Sequence, residues 1–162
     1  MLYNRENTKI KDKTSFMPKP IEYTAALVIY NQDHSKFYLT RRPLDDKSMP
    51  GYWGFPSASK ENLDEPWEET IKKAAKTKLG IKVEIVKYLG EMTIDRGKYI
   101  LVLRDYEVKI IKGEPKVPQK FKNVTQYINE KWTEDPQELI KPARDGSLCS
   151  RVFLRSLGIS WD

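Results

Sequence analysis

The sequence predicts an α+β layered domain, a mixed β-sheet attended by few helices. Three observations predict it. Thr24–Tyr30 is a mostly apolar run of strand length. Val83–Ile94 and Lys98–Ile111 are longer β-rich stretches, joined by the turn Asp95-Arg96-Gly97. Between the first strand and this pair, Trp67, Ile71, Ala74, Ala75 and Leu79 recur at spacings of three and four, the stripe of an amphipathic helix.

The elements follow in order. Residues 1–20 are polar, hold five Lys/Arg against two acids and end in Pro18-Lys19-Pro20, which reads as a basic arm preceding a single domain over 21–162. After the Thr24–Tyr30 strand, the cluster Asn31-Gln32-Asp33-His34-Ser35 predicts a turn, and Lys36–Arg42 predicts a second strand that closes a hairpin. Pro43 to Pro50 is a polar loop, and Trp53–Ser57 predicts one short strand. Asp64, Glu65 and Pro66 open the helix and Gly80 stops it. Past the two long strands, residues 112–123 contain Gly113, Pro115 and Pro118 and predict a loop. Val124–Trp132 predicts a strand, Asp135-Pro136-Gln137-Glu138-Leu139 a short helix, and 146–157 a final helix with Asp145 as its cap and Gly158 as its stop.

At 162 residues with 39% hydrophobic and 32% charged side chains, the chain can bury a domain-sized core. No apolar run approaches the roughly 20 residues of a membrane span, and the N-terminus lacks the apolar region of a secretory signal, so a cytoplasmic setting is expected. The lone Cys149 excludes an internal disulfide and a cysteine-based zinc site. A net charge of +6 suits phosphate-bearing partners, nucleic acid included, and equally describes a solvated lysine-rich surface.

Pro50-Gly51-Tyr52-Trp53-Gly54-Phe55-Pro56, Arg41-Arg42-Pro43 and the helix ending Leu79-Gly80-Ile81 resemble the core of the Nudix hydrolases. The likeness runs from about Ile21 to Ile140 and implies an α/β/α sandwich around the mixed sheet. It also implies magnesium- or manganese-dependent cleavage of a nucleoside diphosphate linked to another group, with the metal held by three glutamates of the helix. Anchored on Gly80 and Ile81, the family's first Glu falls on Glu65 and its Arg on Lys73. The three ligand positions are Ala74, Thr77 and Lys78, the opening Gly is Ser59, and the Gly pair after Phe-Pro is Ser57-Ala58.

The chemistry explains why that matters. Magnesium seeks carboxylate oxygens and lends its charge to phosphates and to an attacking water. Positions i, i+3 and i+4 share one helix face. Here that face carries a methyl, a hydroxyl and an ammonium, which repels a dication. Glu65 and Glu69 are the candidates for a rebuilt site, being four apart, although acids belong in a first turn and Glu68–Lys72 and Glu69–Lys73 make favourable pairs. Glu91, Asp95 and Glu130 are further acids outside the helix with no spacing that selects one.

Arg41 and Arg42 are the candidate substrate-binding residues, since a guanidinium binds a diphosphate through paired hydrogen bonds. Trp53 and Phe55 are expected in the core, with Phe16, Tyr23 and Tyr52 as packing or base-stacking rings. His34 is expected at the surface and Cys149 as a small buried residue. Two readings follow: a catalytically degenerate Nudix domain that binds a nucleotide, RNA or an acidic protein, and an active pyrophosphohydrolase with relocated ligands that uses Mg or Mn. The family's habit of pairing through strands or arms leaves a homodimer open.

Overall fold

The computed structural model of the chain describes residues 18–119 and 127–162. Its elements are β1 (Ile21–Ile29), β2 (Phe37–Arg41), β3 (Trp53–Gly54), β4 (Ser57–Ser59), α1 (Trp67–Ala74), β5 (Lys82–Asp95), β6 (Ile100–Lys112), β7 (Asn129–Thr133), α2 (Ile140–Arg144) and α3 (Leu148–Ser156). Four strands form a mixed sheet in the order β4-β1-β6-β5, in which β1 and β6 run parallel and the other pairs antiparallel. A second, antiparallel sheet has the order β3-β2-β7.

Alternation along β1 explains the layers. Ala25, Leu27 and Ile29 point to one side, where Ile71, Ala75 and Leu79 of the helix cover them. Ala26 and Val28 point to the other, where they meet Phe37, Leu39 and Phe55, with Val152 and Phe153 of α3. A strand buried on both faces needs an apolar residue at every step, which is why 24–30 shows no polar alternation. The result is helix, sheet and helix, with the small sheet beside α3.

Several expectations are corrected. The segment 31–35 does turn, but β1 and β2 separate into different sheets and share a single bridge, Tyr30 to Phe37, in place of a hairpin. The strand expected over 53–57 is two: Pro56 supplies no ladder N–H, and the chain steps there from β3 in the small sheet to β4 in the large one. The final helix is capped by Ser147, whose hydroxyl accepts from the Ser150 amide, and not by Asp145. The strand placed over 124–132 is observed over 129–133; residues 124–126 lie outside the described residues, as do 120–123 of the expected loop and Phe16. Asp135 caps the turn Pro136–Leu139 through the Gln137 amide, as a short helix there requires. No helix among the described residues is long and apolar enough to cross a membrane.

The helix starts and stops where its sequence demands, with Pro66 at the entry and Gly80 left-handed (φ 70°) at the exit. Its last turn, Ala75–Leu79, widens to π winding. Such single turns break the α register and shift the side chains that follow.

Candidate functional site

A cleft of about 800 Å³ opens beside the mixed sheet. Its floor is built by the face of the sheet that α1 does not cover: Thr24 of β1, Ser57 and Ser59 of β4, Leu101 and Leu103 of β6. The β2–β3 loop supplies one wall through Arg42, Lys47 and Met49, and the start of α3 contributes Ser147 and Cys149. Lys78 enters from the π turn, and Arg96, Lys98 and Tyr99 enter from the β5–β6 hairpin.

The cleft is electropositive. Five cations line it (Arg42, Lys47, Lys78, Arg96, Lys98) against three acids (Glu22, Asp46, Asp145). Each acid is already engaged. Glu22 accepts from the Ser59 hydroxyl. Asp46 accepts from the Met49 amide at 2.8 Å, Ser48 and Arg42, and these outweigh its burial to hold its carboxyl below the usual range. Asp145 accepts from Tyr52 at 2.5 Å and from Lys141 at 2.9 Å, which also hold it low. Lys78 lies over the ring of Tyr127 at 5.2 Å, and Tyr127 in turn takes the Ser57 amide on its hydroxyl at 3.0 Å. The ring's quadrupole attracts the ammonium, which also lines the cleft.

The two candidate arginines divide. Arg42 lines the cleft, its guanidinium touching Asp46 at 3.4 Å and Ser48 at 3.3 Å. Arg41 instead donates Nε to the Gly51 carbonyl at 2.9 Å and straps the β2–β3 loop, where Gly51 turns with φ 71°.

The three helix positions equated with metal ligands are fully accounted for. Ala74 is buried. Thr77 returns its hydroxyl to the Lys73 carbonyl at 2.8 Å. Lys78 is in the cleft. Divalent-cation chemistry requires oxygens here, and these residues do not fit it. Among the described residues no three His, Cys, Asp or Glu side chains converge elsewhere.

Glu65 and Glu69 stand in different surroundings. Glu65 is buried and gives one carboxylate oxygen to Lys73 and the other to the Thr70 hydroxyl at 2.7 Å. Its pKa is lowered, chiefly by Lys73. Glu69 is exposed. Lys73 pairs with Glu65 and Glu61 in place of the expected Glu69, whereas the Glu68–Lys72 pair forms at 3.1 Å. Thus the positions equated with the family's first Glu and its Arg are an ion pair that ties the loop before α1 to the helix.

The other acids have structural partners as well: Glu91 with Arg104, Asp95 with Lys19, Glu130 with the Tyr38 hydroxyl. Phe55 is core and Trp53 packs against it, its ring beneath Lys131 at 4.3 Å. Tyr23 packs edge-on against Trp67. His34 is exposed and stacked on Tyr30, and Cys149 is buried at the cleft floor. Lys47, Arg96, Lys98 and Tyr127 were not named as site residues from sequence. They reach the cleft from three separate segments, and no spacing links them.

The fold recurs in solved structures. The E. coli ORF135 protein superposes with a TM-score of 0.63 at 18% identity, covering 86% of this chain and 94% of that one. A MutT protein from Methanosarcina mazei Go1 does so with 0.62 at 18%, covering 88% and 96%. A NUDIX hydrolase from Nitrosomonas europaea does so with 0.64 at 13%, covering 86% and 89%. The chain has the Nudix fold. No family model and no curated protein matches it by sequence. At such identities the likeness is one of fold, and function is argued from the cleft. Phe55 is in the core, Trp53 packs against it and Gly80 ends the helix, while the helix face of Ala74, Thr77 and Lys78 carries no carboxylate.

Proposed function

We propose that this Nudix-fold chain binds a nucleotide-type phosphate ligand in the cleft without metal-dependent hydrolysis. The observation that carries the reading is Lys78. At a position where a metal site needs a carboxylate, the cleft receives an ammonium instead. A fixed ammonium and the Arg42 guanidinium neutralise phosphate oxygens directly through charge-assisted hydrogen bonds. They do not lower the pKa of a bound water as a dication does, so the arrangement favours holding a diphosphate over cleaving it.

Calorimetric titration with pyrophosphate, UDP and ADP-ribose tests this. Binding is expected in EDTA and to be insensitive to added magnesium. Lys78→Ala should weaken it about tenfold, the loss of one charge-assisted hydrogen bond. Robust magnesium- or manganese-dependent turnover abolished by Glu65→Gln or Glu69→Gln would overturn the reading. So would affinity that appears only with metal.

A further inference from the structure

We infer that the cleft selects a ribonucleotide over its deoxy counterpart, reading the ribose hydroxyls through Glu22, Ser59 and Thr24. This rests on the phosphate-binding reading above and adds the sugar that the ligand carries. A directed chain of hydrogen bonds on the cleft floor is the basis. The Ser59 hydroxyl donates to Glu22 Oε1. Its single proton is thereby committed, so at the 3.0 Å contact between Thr24 Oγ1 and Ser59 Oγ the threonine is the donor. Both hydroxyl protons of the row are used within it. What the row presents to the cleft is lone pairs, including those of the second Glu22 carboxylate oxygen. Such a row takes donors. It repels a phosphate, whose oxygens are acceptors of the same charge.

The other two acids of the cleft are in a different state. Asp46 and Asp145 are paired with cations, Arg42 at 3.4 Å and Lys141 at 2.9 Å, whereas the partner of Glu22 among the described residues is a hydroxyl. Strand register places this row relative to the phosphate end. Thr24 stands opposite Ser59, and Ala26 opposite Ser57, whose amide donates to the Tyr127 hydroxyl beside Lys78. Two strand residues, about 7 Å, therefore separate the Lys78 end from the Thr24–Ser59 pair, and Glu22 lies two residues further along β1. A 5′-diphosphate held at Lys78 brings its own ribose over that pair. On the other side of the row, Glu22 and Thr24 stand opposite Leu101 and Leu103 of β6, so apolar carbon flanks the acceptors. A furanose has the same division, with C–H bonds on its faces and hydroxyls at one edge. Its 2′,3′-diol supplies two adjacent donors, and a carboxylate accepting from the 2′-hydroxyl is how dinucleotide-binding folds hold ribose. A 2′-deoxy sugar would cover Glu22 and leave an acceptor unfilled, which costs more than an ordinary hydrogen bond.

Calorimetric titration of the full chain in EDTA with UDP, 2′-deoxy-UDP and 2′-deoxy-2′-fluoro-UDP tests the assignment. UDP is expected to bind about tenfold tighter than 2′-deoxy-UDP. The fluoro compound keeps a polar atom but no proton to donate, and should bind like the deoxy one. Glu22→Ala should weaken UDP about tenfold and bring the three ligands to one affinity. Ser59→Ala, which removes the contact that orients the carboxylate, should narrow the preference without abolishing it. Equal affinities of UDP and 2′-deoxy-UDP for the unaltered chain would overturn the sugar assignment and leave phosphate binding standing. So would a fluoro compound that binds as tightly as UDP. Glu22→Ala weakening UDP and 2′-deoxy-UDP by the same factor would also overturn it, because a purely structural or electrostatic role acts on both. Absence of UDP and pyrophosphate binding would sink the phosphate reading and this assignment together.

Discussion

Truncating Phe153 to alanine is expected to destabilise the chain by about 3–5 kcal/mol, the range for deleting a large buried aromatic. Phe153 is 1% exposed and meets Phe37 at 5.0 Å and Phe55 at 4.9 Å between ring centroids; those two rings lie 6.0 Å apart. The three come from α3, from β2 and from the link between β3 and β4. They therefore join the final helix to the small sheet and to the entry of the large one, where the cleft wall stands. The tilted arrangement adds edge-to-face attraction to the area buried. Collapse around the missing ring is restricted because each neighbour is anchored in a different element. Urea unfolding with unchanged m-value measures the loss. Leu157→Ala, at a side chain 46% exposed on the same terminal segment, should stay within about 0.5 kcal/mol. A Phe153→Ala loss no larger than that of Leu157→Ala would show the trio to be incidental.

The fold was legible where local physics decides. An apolar run marked β1, β-rich stretches marked β5 and β6, a stripe at spacings of three and four marked α1, and Gly80 marked the helix stop because a left-handed exit suits glycine. Pairing was less legible. Strand propensity in 36–42 says nothing of which sheet receives it, and β2 left β1 for β3 and β7. The Trp53–Ser57 run concealed a change of sheet that only Pro56 hinted at. The cap of α3 passed from Asp145 to Ser147 because Tyr52 and Lys141 engage the aspartate elsewhere.

For the site, sequence named Arg42 and identified Lys78 only as a missing carboxylate. Its presence in an electropositive cleft depends on the π turn, on Tyr127 and on β4, which are neighbours in space alone. Glu65 shows the same limit. Its place at the start of a helix, four residues from Glu69, makes it a metal candidate in sequence, and the fold turns it with Lys73 into a clasp.

Replacing Asp105 with asparagine is expected to stabilise the protein at neutral pH, by on the order of 2 kcal/mol. Asp105 sits mid-strand in β6 between Ala26 and Gly90, wholly buried, and neither carboxyl oxygen has a hydrogen-bond partner among the described residues. Burial pushes its pKa well above the ordinary aspartate value; the Cys149 thiol adds to this and Arg155 opposes it. Arg155 reaches over Gly90, where an added Cβ would lie 2.9 Å from the guanidinium, but spends an N–H on the Glu91 carbonyl at 2.8 Å. The folded state thus holds a proton that the unfolded chain releases near pH 3.9. A group whose folded pKa is raised contributes stability that is fully present below the unfolded pKa and is lost as pH rises through the folded one. The wild-type chain should therefore lose stability from about pH 4 upward through the raised folded pKa, and the asparagine variant should lack that part of the decline. Urea midpoints across pH 4 to 9 check both slopes. If Asp105→Asn instead lowers stability at pH 7, the carboxylate is ionised and paired with Arg155, and the acid is a structural anchor for α3 rather than a buried cost.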